Sequence, residues 1–142
     1  MQVPPLTDTG LKELLAQPLV AKIATASKNG ELRITPIWFG DQGGSILMNT
    51  FERSELVRNL RRNPKCSFMV DSRDFPYIGV HYWGIATVEG PEDDVEGIAK
   101  LFAPYRGDLD TAREYAKILI GWGTRVYVRF TPQRKTTWDF RG

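Results

Sequence analysis

Asn49, Thr50, Arg53 and Ser54 stand within six consecutive positions, where the apolar run Ile46-Leu47-Met48 gives way to Glu55-Leu56-Val57-Arg58. Such a strand-to-helix junction suits an anion: free backbone N–H groups, hydroxyls and a guanidinium fork converge on phosphate oxygens. The competing structural reading is a helix cap, since Ser and Thr are favoured there as acceptors for a backbone N–H. Positive charge continues through Arg58, Arg61, Arg62 and Lys65, and an acidic group follows at Glu89, Glu92, Asp93, Asp94 and Glu96. Taken alone, the arginines read as a solvated helix face and the acidic group as a helix start.

Other chemistries lack their residues. His81 is the only histidine and Cys66 the only cysteine, so a histidine-rich or cysteine–histidine metal site has too few ligands. His81 lies in an apolar, strand-like run and reads as a packed or solvent-facing imidazole rather than the base of a hydrolase triad. Cys66 heads the run Cys66–Val70 and reads as a buried strand residue. Neither GxGxxG nor GxxxxGK[ST] occurs. A chain this poor in catalytic groups needs a bound cofactor to carry any demanding chemistry.

The 142 residues are 42% hydrophobic and 25% charged, which suits one globular domain over residues 1–142. Nineteen basic against seventeen acidic residues leave a net charge of +2, too small for nucleic-acid binding by charge alone. No apolar run reaches the roughly 20 residues of a membrane span, and the start, MQVPPLTDTG, lacks signal-peptide regions. The expectation is a cytoplasmic protein with neither a membrane nor a nucleic-acid partner.

The elements that would position the junction follow from periodicity. A first helix is expected over Thr7–Gln17, with Thr7 or Asp8 as its cap and Leu11, Leu14 and Leu15 on one face. Strands Val20–Ala26 and Leu32–Phe39 flank Asn29-Gly30, a strong hairpin signal. Pro36, inside the second, marks an edge, a bulge or a ligand-facing break. Trp38, between Ile37 and Phe39, is a core, interface or ligand-facing residue. After Gly43-Gly44 come a strand over Ser45–Asn49, a helix capped by Ser54 and ended by Asn63-Pro64, and strands over Lys65–Asp71 and Tyr77–Glu89. Gly79 and Gly84 suggest a bulge or barrel corner in the last of these. Helices are expected over Asp93–Phe102 and Thr111–Ile120, the second with Tyr115, Ile118 and Leu119 toward a core. Strands over Arg125–Phe130 and Thr136–Phe140 close the chain, Val126, Val128 and Phe130 alternating with Arg125, Tyr127 and Arg129. Trp122 reads as packing or an interface anchor. The fold class is mainly β (α+β): six or seven antiparallel strands in a small barrel with two or three peripheral helices.

The pieces ATASKNGELRITPIWF, Gly43-Gly44 into ILMNT, VRNLRRNPKCSFMVD, PYIGVHYWGIATVEG and RVYVRFTPQRKTTWDF run in order from the first strand to Phe140. Together they resemble the split β-barrel flavin and deazaflavin oxidoreductases related to pyridoxamine 5′-phosphate oxidase. The resemblance is closest to the branch described as using the deazaflavin F420, in which R-N-L-R-R-[DN]-P and a final Thr-Trp pair after x-P-x-R are common. It implies a split barrel of the FMN-binding type and a homodimer with the cofactor in a groove between two barrels. Position by position, it implies that Asn49, Thr50, Arg53 and Ser54 meet the cofactor phosphate and that Arg58 adds charge. Thr35, Pro36, Ile37 and Trp38 would line the ring, and the segment from Tyr77 to Val80 would approach the cofactor held mainly by the other subunit. The family often carries a lysine where this chain has Leu56; Arg53, one turn earlier, is the replacement. The implied function is F420-dependent hydride transfer to or from a small conjugated substrate, with no residue singled out as catalytic. Alternatives are an FMN-dependent oxidoreductase or a non-catalytic flavin- or haem-binding protein, His81 being the sole histidine for a haem.

Overall fold

The computed structural model describes residues 2–142. Helix α1 (Asp8–Leu15) begins at Thr7, whose hydroxyl accepts the Gly10 N–H at 3.0 Å, and is shorter than expected. Strands β1 (Ala21–Ala26) and β2 (Leu32–Ile37) form the hairpin across Asn29-Gly30, Gly30 taking the positive φ of 86° that the turn requires.

The strand expected over Leu32–Phe39 is in fact two. The chain leaves β2 at Ile37, passes Trp38 and becomes β3 (Phe39–Asp41), which pairs with β4 (Ile46–Phe51) instead of β1. With α2 (Glu55–Arg62), β5 (Lys65–Asp71), β6 (Ile78–Glu89), α3 (Val95–Arg106), α4 (Leu109–Trp122) and β7 (Arg125–Asp139), the elements are complete. The sheet order is β2-β1-β5-β6-β7-β4-β3. Its two edge strands are therefore neighbours in the chain, separated by Trp38 alone, so the antiparallel sheet curls until its edges meet. Pro36 sits on the edge strand β2, where its missing N–H interrupts no outer ladder.

Two further expectations need correction. The closing strands over Arg125–Phe130 and Thr136–Phe140 are one continuous strand, β7. Pro132 is tolerated because it faces Gly84 at a register shift after Trp83, and β4 no longer pairs with β7 beyond Phe130. Gly84 is required at this bulge because a Cβ there would run into the Thr131 carbonyl. In α4, Ile118 is exposed, and the inward face is Ala112, Ala116 and Leu119. Four helices are present among the described residues, and none is long and apolar enough to cross a membrane.

Two apolar clusters result. Inside the barrel, Ile23, Met48, Phe68, Val80, Val128 and Phe130 are fully buried. On the outer face of β4 and β7, the α3/α4 hairpin packs Ile98, Phe102, Ala116 and Leu119 against Tyr127, Leu47, Phe51 and Trp38. Both faces of β7 are thus covered, so Arg125, Val126, Tyr127 and Val128 are all buried, where alternation alone had Arg125 and Tyr127 facing away from the core.

Candidate functional site

Beside this second cluster a cleft of about 480 Å³ opens to solvent, within the usual size range of small-molecule sites. It is lined by Thr35, Pro36, Ile37 and Trp38, where the chain passes from β2 to β3, and by Asn49, Thr50, Phe51 and Arg125 from the adjoining ends of β4 and β7. Phe102, Tyr115, Leu119 and Trp122 descend from the helical hairpin. Six of the ten expected site residues are thereby brought together: the whole Thr35–Trp38 segment with Asn49 and Thr50. Closure of the sheet accounts for this, because the chain passing from β2 to β3 lies beside the end of β4.

The walls are aromatic and ordered. Trp38 stacks on Tyr105 at 4.6 Å, meets Phe102 edge-on at 5.0 Å and leans on Tyr115 at 5.9 Å. Tyr105 is itself fixed, its hydroxyl donating to the Leu19 carbonyl at 2.8 Å and accepting the Phe39 N–H at 3.1 Å. Burial pushes that phenol up to about 12, against the weaker opposing effect of its bond to Phe39, so it stays protonated as a structural donor.

Arg125, which alternation alone left on the outer face of its strand, is the residue that periodicity missed. Its Nε donates to Asn49 Oδ1 at 2.9 Å and its Nη2 to the Asn49 carbonyl at 3.2 Å, and its guanidinium lies 4.4 Å from the centre of the Phe51 ring. Burial pushes its pKa down. Among the described residues no carboxylate pairs with this guanidinium; the nearby Asp93 carboxylate is engaged by the Arg125 backbone N–H at 2.9 Å. In two residues that line the cleft, a buried polar atom also lacks a partner: Asn49 Nδ2 and Thr35 Oγ1. The site therefore offers an uncompensated cation and unsatisfied hydrogen-bonding groups beside flat apolar walls.

The other expected residues lie on the rim or elsewhere. Arg53 is exposed, 5.4 Å from the centre of the same Phe51 ring on which Arg125 rests, with its Nη1 beside Gly123. Ser54 caps α2, its hydroxyl accepting the Val57 N–H at 3.2 Å, so the structural reading of that residue holds. Arg58 turns back to the Arg53 carbonyl at 3.1 Å and to Glu55 at 3.7 Å. Leu56 is fully buried in the barrel core, so a cation for the site has to come from another position. Tyr77 does not line the cleft: it is half exposed, edge-on to Phe75 at 5.9 Å, and borders a separate depression beside Lys22, Asp71 and Arg73.

Several motif residues prove structural. Asn59 donates to Thr25 Oγ1 at 3.1 Å, tying α2 to β1, and its own oxygen accepts from Arg62. Thr137 accepts the Leu6 N–H at 2.9 Å, and the Trp138 indole covers Gly79 so closely that no Cβ fits there. The Cys66 thiol is pushed up to about 12 by burial, which removes it as a nucleophile. His81 lies 3.8 Å from the Trp83 ring, and burial and Arg134 lower its pKa. A second cavity of about 530 Å³, lined in part by Asp41, Lys100 and Tyr127, is divided from the cleft by the Trp38–Tyr105 stack and contains none of the expected residues.

Comparison with known proteins agrees with this fold. The family model described as pyridoxamine 5′-phosphate oxidase matches residues 7–138. A conserved hypothetical protein of Mycobacterium tuberculosis superposes with a TM-score of 0.81 at 22% identity, over 98% of this chain and 88% of the other. A structure described as an F420 reductase gives 0.69 at 23% identity, over 87% and 94%. One described as an FAD-binding protein from Mycobacterium smegmatis gives 0.62 at 25% identity, over 94% and 97%. No curated protein matches the chain in sequence.

Proposed function

Since the chain belongs to the pyridoxamine 5′-phosphate oxidase family, we propose that it holds a flavin-type cofactor in the cleft between Trp38 and Arg125 and works as an oxidoreductase. The observation that carries this reading is the pairing of flat aromatic walls with a buried, uncompensated guanidinium in one cleft. A planar ring with an anionic tail matches both halves.

F420 is the preferred cofactor and FMN the alternative. One solved relative described as an F420 reductase and another described as an FAD-binding protein support the class while leaving the choice between its members to experiment. When bound, such a group supplies hydride exchange with a small conjugated substrate. The chain's part is positioning. Thr35, Pro36, Ile37 and Trp38 bear on one face of the ring, Asn49 and Thr50 lie toward its tail, and Arg53 and Arg58 add positive potential at the rim. Ser54 contributes by fixing the start of α2. Homodimerisation completes the proposal: Leu32 and Ile34 expose apolar side chains on the edge strand β2, and Tyr77 would reach the cleft of a second copy.

The test is an absorption spectrum of the purified protein followed by titration with F420 and FMN. The proposal expects saturable binding, tighter for F420. Tight FMN binding with weak F420 binding would move the assignment to FMN, a Soret band would favour haem, and failure to bind any of them would reject a cofactor-dependent enzyme.

A further inference from the structure

Arg125 carries an inference that neither the family match nor the sequence motifs supply, with Asn49, which the resemblance sets near a cofactor phosphate, as its partner. Both side chains are almost fully buried, at 5% and 3% exposure, and both line the cleft. Arg125 spends Nε and Nη2 on the oxygens of Asn49, which leaves Nη1 unassigned. With its own oxygen committed to Arg125, Asn49 has its Nδ2 donor buried and without a partner. A buried cation with no counter-ion and a buried amide donor with no acceptor are each costly, and here they are adjacent. One oxyanion would satisfy both.

We propose that Arg125 and Asn49 form a buried oxyanion site in the lining of the cleft, which takes the phosphate or carboxylate group of a planar ligand. Arg125 Nη1 and Asn49 Nδ2 are its donors, and the Arg125–Asn49 bonds hold the two in register. Phe51 supports the guanidinium from one side, while Arg53, on the rim at the same ring, attracts the anion without burying it. The identity of the ligand rests on the cofactor reading above; the existence of the site does not.

Inorganic phosphate is the probe, added to the full chain during thermal unfolding, with chloride at matched ionic strength as control. The wild type is expected to gain Tm with phosphate beyond chloride, and Arg125→Gln to lose that gain. Asn49→Asp provides an internal carboxylate for Arg125: it should abolish the phosphate response while raising the Tm of the unliganded protein. The source of the oxyanion is separated by comparing FMN with riboflavin, which lacks the phosphate, and by titrating 2-naphthoate. If the phosphate group is the ligand, Arg125→Gln reduces an FMN preference of about tenfold or more to near parity. If a substrate carboxylate is, the variant loses 2-naphthoate and keeps the FMN preference. A phosphate response lost in both variants, in a wild type that binds neither flavin nor F420, would uphold the oxyanion site and reject the cofactor reading. No phosphate response in the wild type, or one that survives Arg125→Gln and Asn49→Asp, would overturn the site itself.

Discussion

Met48 and Asn49 are neighbours on β4 that point to opposite faces of one sheet, and their surroundings differ in kind. Met48 is sealed among the apolar side chains of the barrel, where Phe68 stacks on Phe130 at 5.5 Å and meets Phe39 edge-on at the same distance. Asn49 lies under the helical hairpin with an unpaired amide, next to an arginine with no carboxylate. The barrel interior is closed by apolar packing, whereas the outer face keeps buried polar groups without partners. On the proposed reading, stability is concentrated in the first region and binding capacity in the second.

The comparison breaks if stability and binding do not separate. Phe68→Ala empties the centre of the barrel and is expected to cost about 3–5 kcal/mol in urea unfolding. A loss below about 1 kcal/mol would show that the interior is not the stabilising region. Gly79→Ala forces a Cβ against the Trp138 indole and should cost about 1–3 kcal/mol by overpacking in the same urea unfolding measurement.

Cys66 sharpens the same contrast through pH. Burial raises its pKa from 9.0 to about 12, so the folded state keeps a proton that the unfolded chain releases. Stability is then lost as pH climbs above 9, the unfolded thiol's range. Between pH 9 and 10 the Cys66→Ala variant should lose about 1 kcal/mol less than the wild type, measured as urea midpoints across that interval. Equal slopes would mean that the thiol is open to solvent.

The smallest effect is expected on the rim. Arg53→Ala should weaken F420 or FMN binding by about 1 kcal/mol or less at low salt, and the difference should vanish in high salt, as for an exposed charge. A loss that salt does not reduce would place Arg53 inside the site.

Local chemistry made part of this legible from sequence. Ser54 as a cap, the Asn29-Gly30 turn and the strand Lys65–Asp71 depend on near neighbours, and they stand as expected. The break at Trp38 depends on which distant strand each half joins, so a single apolar run concealed two edge strands. Pro132 stays inside β7 because its partner bulges at Gly84, a compensation some fifty residues away in the chain. Arg125 was obscured by an assumption: strict alternation implies one wet face, and α3 and α4 remove it. Within the site, the Thr35–Trp38 lining followed from the family resemblance and not from periodicity, which left Trp38 as core, interface or ligand-facing, while the buried Arg125 guanidinium emerges only once the helices are placed.

Hydrogen–deuterium exchange with and without saturating F420 or FMN tests the division between the two faces most directly. Slower exchange is expected over 35–38, 49–53 and 119–125, with strand β5 and the part of β6 beyond Val80 little changed. Protection centred instead on Asp41, Lys100 and their cavity, or spread evenly through the barrel, would contradict it.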